Sequence, residues 1–332
     1  MAEQKNELTA PISEWQNQLT ALVSRDYEES GLTLAENETK CAKNAVDAIF
    51  HLVKDSGEKM NNIDMSNLRS IVGRCASLQL DPLAPNRECY FQLRNKKQGD
   101  NYVKVIEMQI EGDGNDSLLR HFGANVKMVG DVWYVCDGDD FTYPKKKGFE
   151  IIPPEHEAKG LSNKCIRVVY PILLNDGKET YLIAERDSTK TNLFAHVRQN
   201  LMNETFGICA NRFKATEEQK KQIDAKKEEI FAELRKCETV DEMLKCEVAR
   251  PYMSGAWLDT PEEMIRRKMR NNAIKKYPKD LHSLASRSLL ELNETYDQTQ
   301  EEIAEQANAE EFDDENVFES VAKDVEEHTD ET

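Results

Sequence analysis

The sequence lacks the long apolar run that a membrane-spanning helix needs. No segment of the 332 residues approaches the roughly 18 consecutive apolar side chains required, so we expect no transmembrane span. The first residues, Met-Ala-Glu-Gln-Lys-Asn-Glu, do not place a basic region before an apolar one, so no secretory signal is predicted. We therefore expect a protein that works in the cytoplasm.

The sequence also lacks the short motifs of common nucleotide-binding and hydrolytic sites. It contains no Gly-x-x-x-x-Gly-Lys-Ser/Thr, the loop that cradles phosphates. Neither Gly-x-Ser-x-Gly nor His-Glu-x-x-His is present. An ATP-driven strand-exchange protein is therefore not expected.

The eight cysteines show no metal-ligand spacing. None lies in Cys-x-x-Cys, and the six histidines supply no zinc-finger partner. In a cytoplasmic chain such cysteines are mostly small buried hydrophobes. We predict neither a metal site nor a redox role for them.

The net charge disfavours nucleic acid at first sight, because 44 basic residues face 62 acidic ones and the total is −18. The distribution reverses that conclusion. From Asp297 to Thr332 the chain carries fifteen acids and one lysine, a charge of −14, which leaves −4 for the first 296 residues. Because local potential decides whether a phosphate backbone binds, the clustered basic residues of those 296 are candidates for such binding.

Hydrophobic periodicity divides the chain into three parts. Residues 1–65 carry helical apolar stripes and predict a helical region, which either forms a subdomain or docks on a neighbouring subunit. Residues 66–296 alternate helices with short strands and predict an α+β core, a small antiparallel β-sheet packed by helices. Residues 297–332 predict a disordered acidic tail. Apolar residues stand among its acids in a pattern typical of partner-binding segments: Phe312, Val317, Phe318 and Val321.

Turn signals predict three hairpins and a loop in the core. Residues 95–100 and the sequence Asn-Asp-Gly at 175–177 each separate two strand-like runs. A third hairpin is predicted around residues 130–131. The lysines at 145–147 are predicted to lie in a loop of like charge, and residues 187–188 to cap the helix that follows them.

Residues 255–278 form the most strongly patterned segment. Asp259 or Thr260 suits a helix cap, Pro261 suits the first helical position, and two acids follow where the helix dipole favours them. The apolar residues recur at helical spacing: Met264, Ile265, Met269, Ala273 and Ile274. Basic residues crowd the remaining faces: Arg266, Arg267, Lys268, Arg270, Lys275 and Lys276. The pattern predicts a helix that buries one side and offers positive charge on the other.

Three earlier passages precede this helix in order. They are Cys75–Phe91, Glu111–Gly123 and Val135–Tyr143, and the helix itself lies between Trp257 and Pro278. The four together resemble the RecT family of phage single-strand annealing recombinases. The first resembles a family passage in which an alanine-rich helix is followed by an acidic residue before proline and then by a small residue before tyrosine. The second resembles a passage with a basic residue before glycine, followed by Arg-x-x-Gly. The third resembles the family motif Val-x-x-Gly-Asp-x-Phe-x-Tyr. The fourth resembles the family's C-terminal passage, in which a tryptophan is followed by Glu-Glu-Met and by a basic helix that ends in an aromatic residue before proline.

The resemblance covers about residues 67–278 and implies a function. Members of this family bind single-stranded DNA and pair complementary strands without ATP, because base pairing supplies the driving force. The resemblance implies a homo-oligomer (ring or filament), an annealed duplex as product, an exonuclease and the host single-strand binding protein as companions, and no catalytic residue or cofactor. Because the family is shorter between residues 201 and 250, we interpret that stretch as a helical insertion.

One position departs from the family pattern. Glu111 precedes Gly112 where relatives usually place lysine or arginine. Asp113, Asn115 and Asp116 add further oxygen ligands, so a divalent cation such as Mg²⁺ is one possible replacement for a lost phosphate contact. We assign no DNA role to Glu111.

The basic residues provide the candidate DNA contacts, because lysine and arginine neutralise phosphates and aromatic side chains stack on bases. The sixteen candidates are Arg94, Lys96, Lys97, Lys104, Lys145, Lys146, Lys147, Lys164, Arg167, Arg198, Arg266, Arg267, Lys268, Arg270, Lys275 and Lys276. Tyr90, Tyr102, Tyr143 and Tyr170 lie among the strands, where core burial is the commoner role.

Two other functions stay open at the level of sequence. A metal-dependent nuclease would use acids such as Asp113, Asp116, Asp137, Asp139 and Asp140. Turns are rich in acids for structural reasons, which favours a structural role for them. A protein that coats single strands without accelerating their pairing is the other alternative. The acidic tail either competes with DNA for the basic surface or binds a partner.

Overall fold

The computed structural model describes residues 9–98, 101–210 and 215–293, so the predicted tail at 297–332 lies outside the described residues. The helices within them are α1 (Thr9–Glu29), α2 (Glu36–Asp55), α3 (Met65–Ser77), α4 (Gly112–Phe122), α5 (Lys190–Asn200), α6 (Glu217–Lys236), α7 (Val240–Lys245), α8 (Gly255–Leu258), α9 (Pro261–Ile274) and α10 (283–293). The strands are β1 (Cys89–Gln98), β2 (Asn101–Ile110), β3 (Val126–Val129), β4 (Trp133–Cys136), β5 (Asp140–Thr142), β6 (Lys145–Lys147), β7 (Glu150–Ile152), β8 (Glu155–Glu157), β9 (Cys165–Leu174) and β10 (Glu179–Glu185). Helices pack against small antiparallel sheets, which confirms the predicted α+β class.

A first hydrophobic core joins the N-terminal helices to the β1–β2 hairpin. Leu19 of α1, Ile49 of α2 and Leu68 of α3 are fully buried in it. Asp64 begins α3 by accepting a hydrogen bond from the backbone N–H of Asn67 at 2.9 Å. The last helix, α10, returns to this core and buries Ala285. The first and the last described helices therefore share one core.

The β1–β2 hairpin is longer than its turn signal predicted. Cys89 pairs with Ile110 at its base and Gln98 pairs with Asn101 at its far end. Residues 95–98, which were predicted to belong to the turn, therefore lie in β1. A ladder continues wherever both strands offer backbone hydrogen bonds, and no proline interrupts this one.

A second core lies under a four-stranded sheet in which β9 is central. β10 pairs with one side of β9, and β3 and β4 pair with the other. Val168, Tyr170 and Ile172 alternate along β9, so they point to one face and are buried under α9. The predicted hairpin at 175–177 is confirmed, since Glu179 pairs with Leu173 across it.

The hairpin predicted around residues 130–131 is wrong. β3 and β4 do not pair with each other but follow one another along the same side of β9. Between them the N–H of Gly130 donates to the carbonyl of Pro171 at 2.8 Å. Proline has no N–H to return, so the ladder is interrupted there without the chain turning back.

The predicted lysine loop at 145–147 is a strand. β6 pairs with β7 so that Lys147 lies opposite Glu150 and Lys145 opposite Ile152. The two-residue turn between them, Gly148–Phe149, uses glycine at φ +62°, a conformation that favours glycine. We call Lys145–Ile152 the lysine hairpin.

The helices after β10 hold the far side of the second core. A short 3₁₀ helix, Arg186–Thr189, leads into α5. Asp187 was predicted to cap α5, but its carboxylate accepts the N–H of Val240, the first residue of α7, at 2.8 Å, while Thr239 caps α7. Within the stretch predicted to be a helical insertion, α6 buries Ile230 and Leu234 against α5 and α7.

The described helices and the cysteines agree with the composition of the chain. Among the described residues, no helix combines the length and the apolar character that crossing a membrane requires. Four cysteines, at 41, 75, 89 and 165, are buried as predicted, and the other four are partly buried. Burial raises the pKa of the Cys41 thiol to about 12 and that of Cys165 to about 11, which makes both poor nucleophiles.

Candidate nucleic-acid interface

The basic helix α9 is fixed at its start by an ion cluster around the buried guanidinium of Arg186. The carboxylate of Glu262 accepts two hydrogen bonds from the guanidinium of Arg186, at 2.5 and 2.9 Å, and one from the N–H of Cys165 at 3.2 Å. Asp241 binds the same guanidinium at 2.7 Å. Although burial lowers the pKa of Arg186, these two carboxylates raise it above its ordinary value. Glu262 therefore acts as an anchor for α9.

A second anchor joins the middle of α9 to α4. The Nε of Arg270 donates to the hydroxyl of Tyr170 at 3.0 Å, and its Nη2 lies 3.1 Å from a carboxylate oxygen of Asp113. Burial lowers the pKa of Arg270, but the hydrogen bond with Tyr170 and the neighbouring acids raise it by more, so the pKa lies above its ordinary value. Trp257, 2% exposed, fills the core beside α9. Three motif residues, Trp257, Glu262 and Arg270, thus position the helix.

The outward side of α9 carries cations without such partners. Arg267 is exposed, and Lys268 forms no ion pair among the described residues. Burial, and next the charge of Arg267, lower the pKa of Lys268. Lys275 also acts on Lys268 electrostatically, so the three charges lie near one another. We call Arg267, Lys268 and Lys275 the α9 cation face, and exposed Lys276 follows it in the chain.

Arg266 lies beside an exposed ring at the edge of the sheet. Its Nη2 donates to the carbonyl of Asn163 at 2.6 Å, and its guanidinium carbon is 5.7 Å from the centre of the Tyr134 ring. Tyr134, in β4, is 37% exposed. The buried Nε of Arg266 has no hydrogen-bond partner among the described residues. A cation next to an exposed aromatic ring suits a stacked base with its phosphate.

The lysine hairpin combines three cations with an exposed aromatic. Lys145, Lys146 and Lys147 are exposed and form no ion pair within the described ranges. Phe149, in the turn, is 93% exposed. Lys145 and Lys147 point to the same face of the strand, about 6.7 Å apart along it. Sequence reasoning missed Phe149; its position next to the lysine run and a glycine was the available signal.

Another aromatic group covers the face of the sheet opposite α9. The guanidinium of Arg167 lies 4.5 Å from the centre of the Phe141 ring and 4.3 Å from that of Tyr143. Glu185 binds the same guanidinium at 2.7 Å. Arg167 therefore holds two rings together and has part of its charge neutralised. The alternation of β9 predicts that Arg167 points away from Tyr170, but it does not reveal which rings cover it.

Several other predicted residues have acidic partners. Arg94 pairs with Glu107 at 2.8 Å, and Lys104 pairs with Glu58 at 3.2 Å. Lys164 pairs with Asp241 at 2.7 Å and so extends the cluster around Arg186. The partners reduce the positive potential that these three offer to a phosphate.

The last three predicted positions differ from one another. Lys96 is exposed near the end of the long hairpin, whereas the side chain of Lys97 lies outside the described part of the chain. Arg198 is exposed on α5, where it lines an apolar pocket. Contact between DNA and any of the sixteen residues stays a prediction.

The acids of the nuclease alternative hold turns and pair with cations. Asp139 accepts the N–H of Cys136 at 2.7 Å and that of Lys159 at 2.8 Å, and it contacts His156 at 3.1 Å. These contacts, in that order, hold the pKa of Asp139 at about 2. Asp140 pairs with Lys159 at 3.0 Å. Within the described ranges, no three His, Cys, Asp or Glu side chains lie together as a cation site.

The acids near α4 have similar partners. Asp116 binds Arg120 at 2.7 Å, and Asp113 binds Arg270. Glu111, the departure from the family pattern, precedes α4 and pairs with Arg87 at 2.9 Å. Its charge also favours the protonated form of Lys268, which lies across from it on α9. Arg87 and Lys268 together offset the acid at this position.

Comparison with known proteins gives one match. The model of the RecT family matches residues 43–309, most of the chain. No curated protein matches, and no solved structure matches. The match includes the four passages that carry the sequence resemblance and every basic residue of the candidate interface.

Proposed function

We propose, because the chain belongs to the RecT family, that it binds single-stranded DNA and anneals complementary strands without ATP in phage-type homologous recombination. An annealing protein has to neutralise a phosphate backbone and hold the bases where a second strand can pair with them. Base pairing then provides the free energy, so no hydrolytic site is needed. The described acids of the nuclease alternative bind cations and backbone N–H groups, which agrees with a function that needs no hydrolytic site.

The observation that carries the proposal is the separation of two kinds of basic residue. Buried Arg186 and partly buried Arg270 are paired with carboxylates and build the fold. The lysine hairpin, Arg267 and Lys275 are exposed, and neither they nor the partly buried Lys268 form ion pairs within the described ranges. The lysine hairpin also carries exposed Phe149 in its turn, so it offers cations and a ring to a strand, as a sequence-tolerant binding surface requires.

The finer parts of the proposal concern assembly and partners. We propose that the protein coats a strand as a homo-oligomer, a ring or a filament, in the cytoplasm of a host cell. An exonuclease would supply the single strand, and the host single-strand binding protein would share it. The division into a helical region at 1–65, a core at 66–296 and a tail stays part of this proposal.

The test is an annealing assay with two complementary oligonucleotides that carry a fluorophore and a quencher. Quenching is followed without ATP, with and without the protein, in Mg²⁺ and again in EDTA. The strands are then run on a denaturing gel. We expect pairing to be accelerated in both buffers and the strands to keep their full length.

Two outcomes would contradict the proposal. Shortened strands in Mg²⁺ but not in EDTA would identify a metal-dependent nuclease. Binding that leaves the pairing rate unchanged, measured by the anisotropy of one labelled strand, would identify a coating protein without annealing activity.

A further inference from the structure

An open apolar pocket lies between α5 and the α6–α7 junction. Its volume is about 340 Å³, and its lining includes Lys190, Phe194, Arg198, Leu234, Arg235 and Met243. Leu234 and Met243 are almost fully buried beneath it. Phe194 stands against Phe231, with the ring centres 5.4 Å apart. The floor therefore has the apolar character and the size to accept one aromatic side chain.

The rim of this α5 pocket is positively charged. Arg198 is exposed and has no ion pair among the described residues. Lys190 donates to the carbonyls of Cys237 and Glu238, at 2.7 and 2.8 Å, and these neutral groups leave its charge in place. Arg235 lies 5.6 Å from the centre of the Phe194 ring and binds the carboxylate of Glu228. Three cations thus surround the floor, and one of them is paired with an acid.

We propose that the α5 pocket binds the acidic tail of this chain through its segment 310–321. This segment places Phe312 between Glu311 and Asp313 and Phe318 between Val317 and Glu319. An aromatic side chain fits the apolar floor, and the flanking carboxylates face the three cations of the rim. The charge of −14 on residues 297–332 makes the tail the most acidic segment of the chain and the natural complement of this rim.

The chain length allows this contact. The described part ends at residue 293, so Phe312 lies 19 residues beyond it and Phe318 lies 25 residues beyond it. Nineteen residues span at most about 65 Å. A compact domain of this size has a radius of gyration of about 20 Å, so this span exceeds the diameter of the molecule, about 52 Å.

The other large groove is a poorer match for the tail. It has a volume of about 680 Å³ and lies between α1, α3 and α10. Its arginines already face acids, Arg69 with Asp26 and Arg74 with Glu291 at 3.1 Å. Its lining carries as many carboxylates as guanidinium groups, so it offers no net attraction to an acidic segment.

The lysine hairpin of a second copy is also a poorer occupant of the α5 pocket. Phe149 would fit the floor, but it would bring Lys145, Lys146 and Lys147 against the cations of the rim. Like charges at this distance repel, whereas the acids of the tail are attracted. Charge therefore selects the tail over the hairpin.

The experiment uses the full-length chain with the photo-reactive substitution Phe318→p-benzoylphenylalanine and contains no DNA. After irradiation, the cross-linked peptides are identified by mass spectrometry. We expect adducts on residues 190–198 or 234–243. The yield should fall at least threefold with Arg198→Glu, and also with Asp313→Lys combined with Asp314→Lys, because each removes part of the charge attraction.

The matched control is Arg250→Glu. Arg250 is exposed in a short 3₁₀ helix and does not line the pocket, so the same change of charge should leave the yield unaltered. Adducts on other segments, or an equal loss of yield with Arg198→Glu and Arg250→Glu, would overturn the proposal. Because the assay involves no DNA, its failure would leave the annealing proposal standing.

Discussion

Lys268 carries a charge that weakens the fold. It is partly buried and has no ion pair among the described residues, and burial followed by the charge of Arg267 lowers its pKa. A lysine whose folded pKa lies below its unfolded one disfavours the native state at neutral pH. Stability then rises as pH passes from the lowered pKa toward 10.5, the ordinary value. A destabilising charge of this kind points to a functional use.

The first prediction therefore concerns Lys268→Met. Removing the charge should raise the melting temperature and lower the affinity for single-stranded DNA by about 2–10-fold, since one phosphate contact is lost. Thermal unfolding and fluorescence anisotropy measure the two effects. Lys276→Met, on an exposed neighbour, is the control and should leave the melting temperature unchanged. A lower melting temperature for Lys268→Met would show that its stem packs favourably and that its charge has little cost.

Phe149 exposes an apolar ring for no structural benefit, since 93% of it faces solvent. We predict that Phe149→Ala lowers the affinity for single strands about 5–100-fold, the range expected from one lost base stack. The melting temperature should stay the same. Leu161→Ala removes another exposed apolar side chain, 77% exposed, and should leave the affinity unaltered. Equal losses for the two variants would indicate a general apolar effect instead of stacking by Phe149.

At the scale of elements, α9 depends on its anchor to the sheet. Glu262→Gln should destabilise the protein by about 1–3 kcal/mol, because the buried guanidinium of Arg186 loses one of its two charged partners. The adjacent Glu263→Gln provides the control, because Glu263 is exposed and should change stability by less than about 0.5 kcal/mol. Denaturant unfolding measures both. Equal stabilities would mean that Asp241 alone satisfies Arg186.

Helix α4 is placed by a close approach between two backbones. A Cβ on Gly114 would lie 2.0 Å from the carbonyl oxygen of Glu88 and 2.8 Å from a methyl carbon of Ile110. Gly114→Ala should therefore cost about 1–3 kcal/mol as α4 is pushed from the β1–β2 hairpin.

The contrasting substitution is in α3. A Cβ on Gly73 would meet Val23 at 3.9 Å, an ordinary contact. Gly73→Ala should stabilise the protein by roughly 0.5–1 kcal/mol, because glycine loses more conformational entropy in a helix. Thermal unfolding of the pair checks both signs. Destabilisation by Gly73→Ala would show that the α1–α3 contact is too tight for a methyl group.

At the scale of the whole molecule, the two cores are joined where the chain leaves α9. The N–H of Ala124 donates to the carbonyl of Pro278 at 2.9 Å, and the N–H of Asp280 donates to the carbonyl of Phe122 at 2.7 Å. This short pairing carries the chain from the second core back to α10 in the first. The position of the basic helix is thereby fixed relative to both cores.

Charge is also divided at this scale, with −14 in the tail and −4 elsewhere. We predict that a chain ending at residue 296 binds single strands more tightly than the full chain at low salt, because it no longer repels phosphates. The difference should shrink above about 0.15 M salt, where the screening length is about 8 Å. A full-length tail with its acids changed to amides is the control and should behave like the shortened chain. Unchanged affinity at low salt would show that the tail does not compete with DNA.

The sequence alone determined the features that depend on local periodicity. Side-chain spacing predicted helices α1, α2, α3 and α9, and turn residues predicted the hairpin at 175–177. Short motifs carried the resemblance to the family. All three kinds of signal lie in neighbouring residues of the sequence. The basic candidates are equally visible because charge is a property of the residue. These local features were sufficient to predict the α+β class and the family.

Only the tertiary structure decided what depends on pairing between distant residues. It showed β3 and β4 lying in line along β9, because Pro171 lacks the N–H that the ladder needs there. It placed the carboxylate of Asp187 on the first N–H of α7, and it made Glu262 anchor α9 to Arg186. It also separated Arg270, which is paired with Asp113, from Lys268, which has no ion pair among the described residues. The periodicity of one helix cannot show which neighbour meets each face, because that depends on the folding of the entire chain.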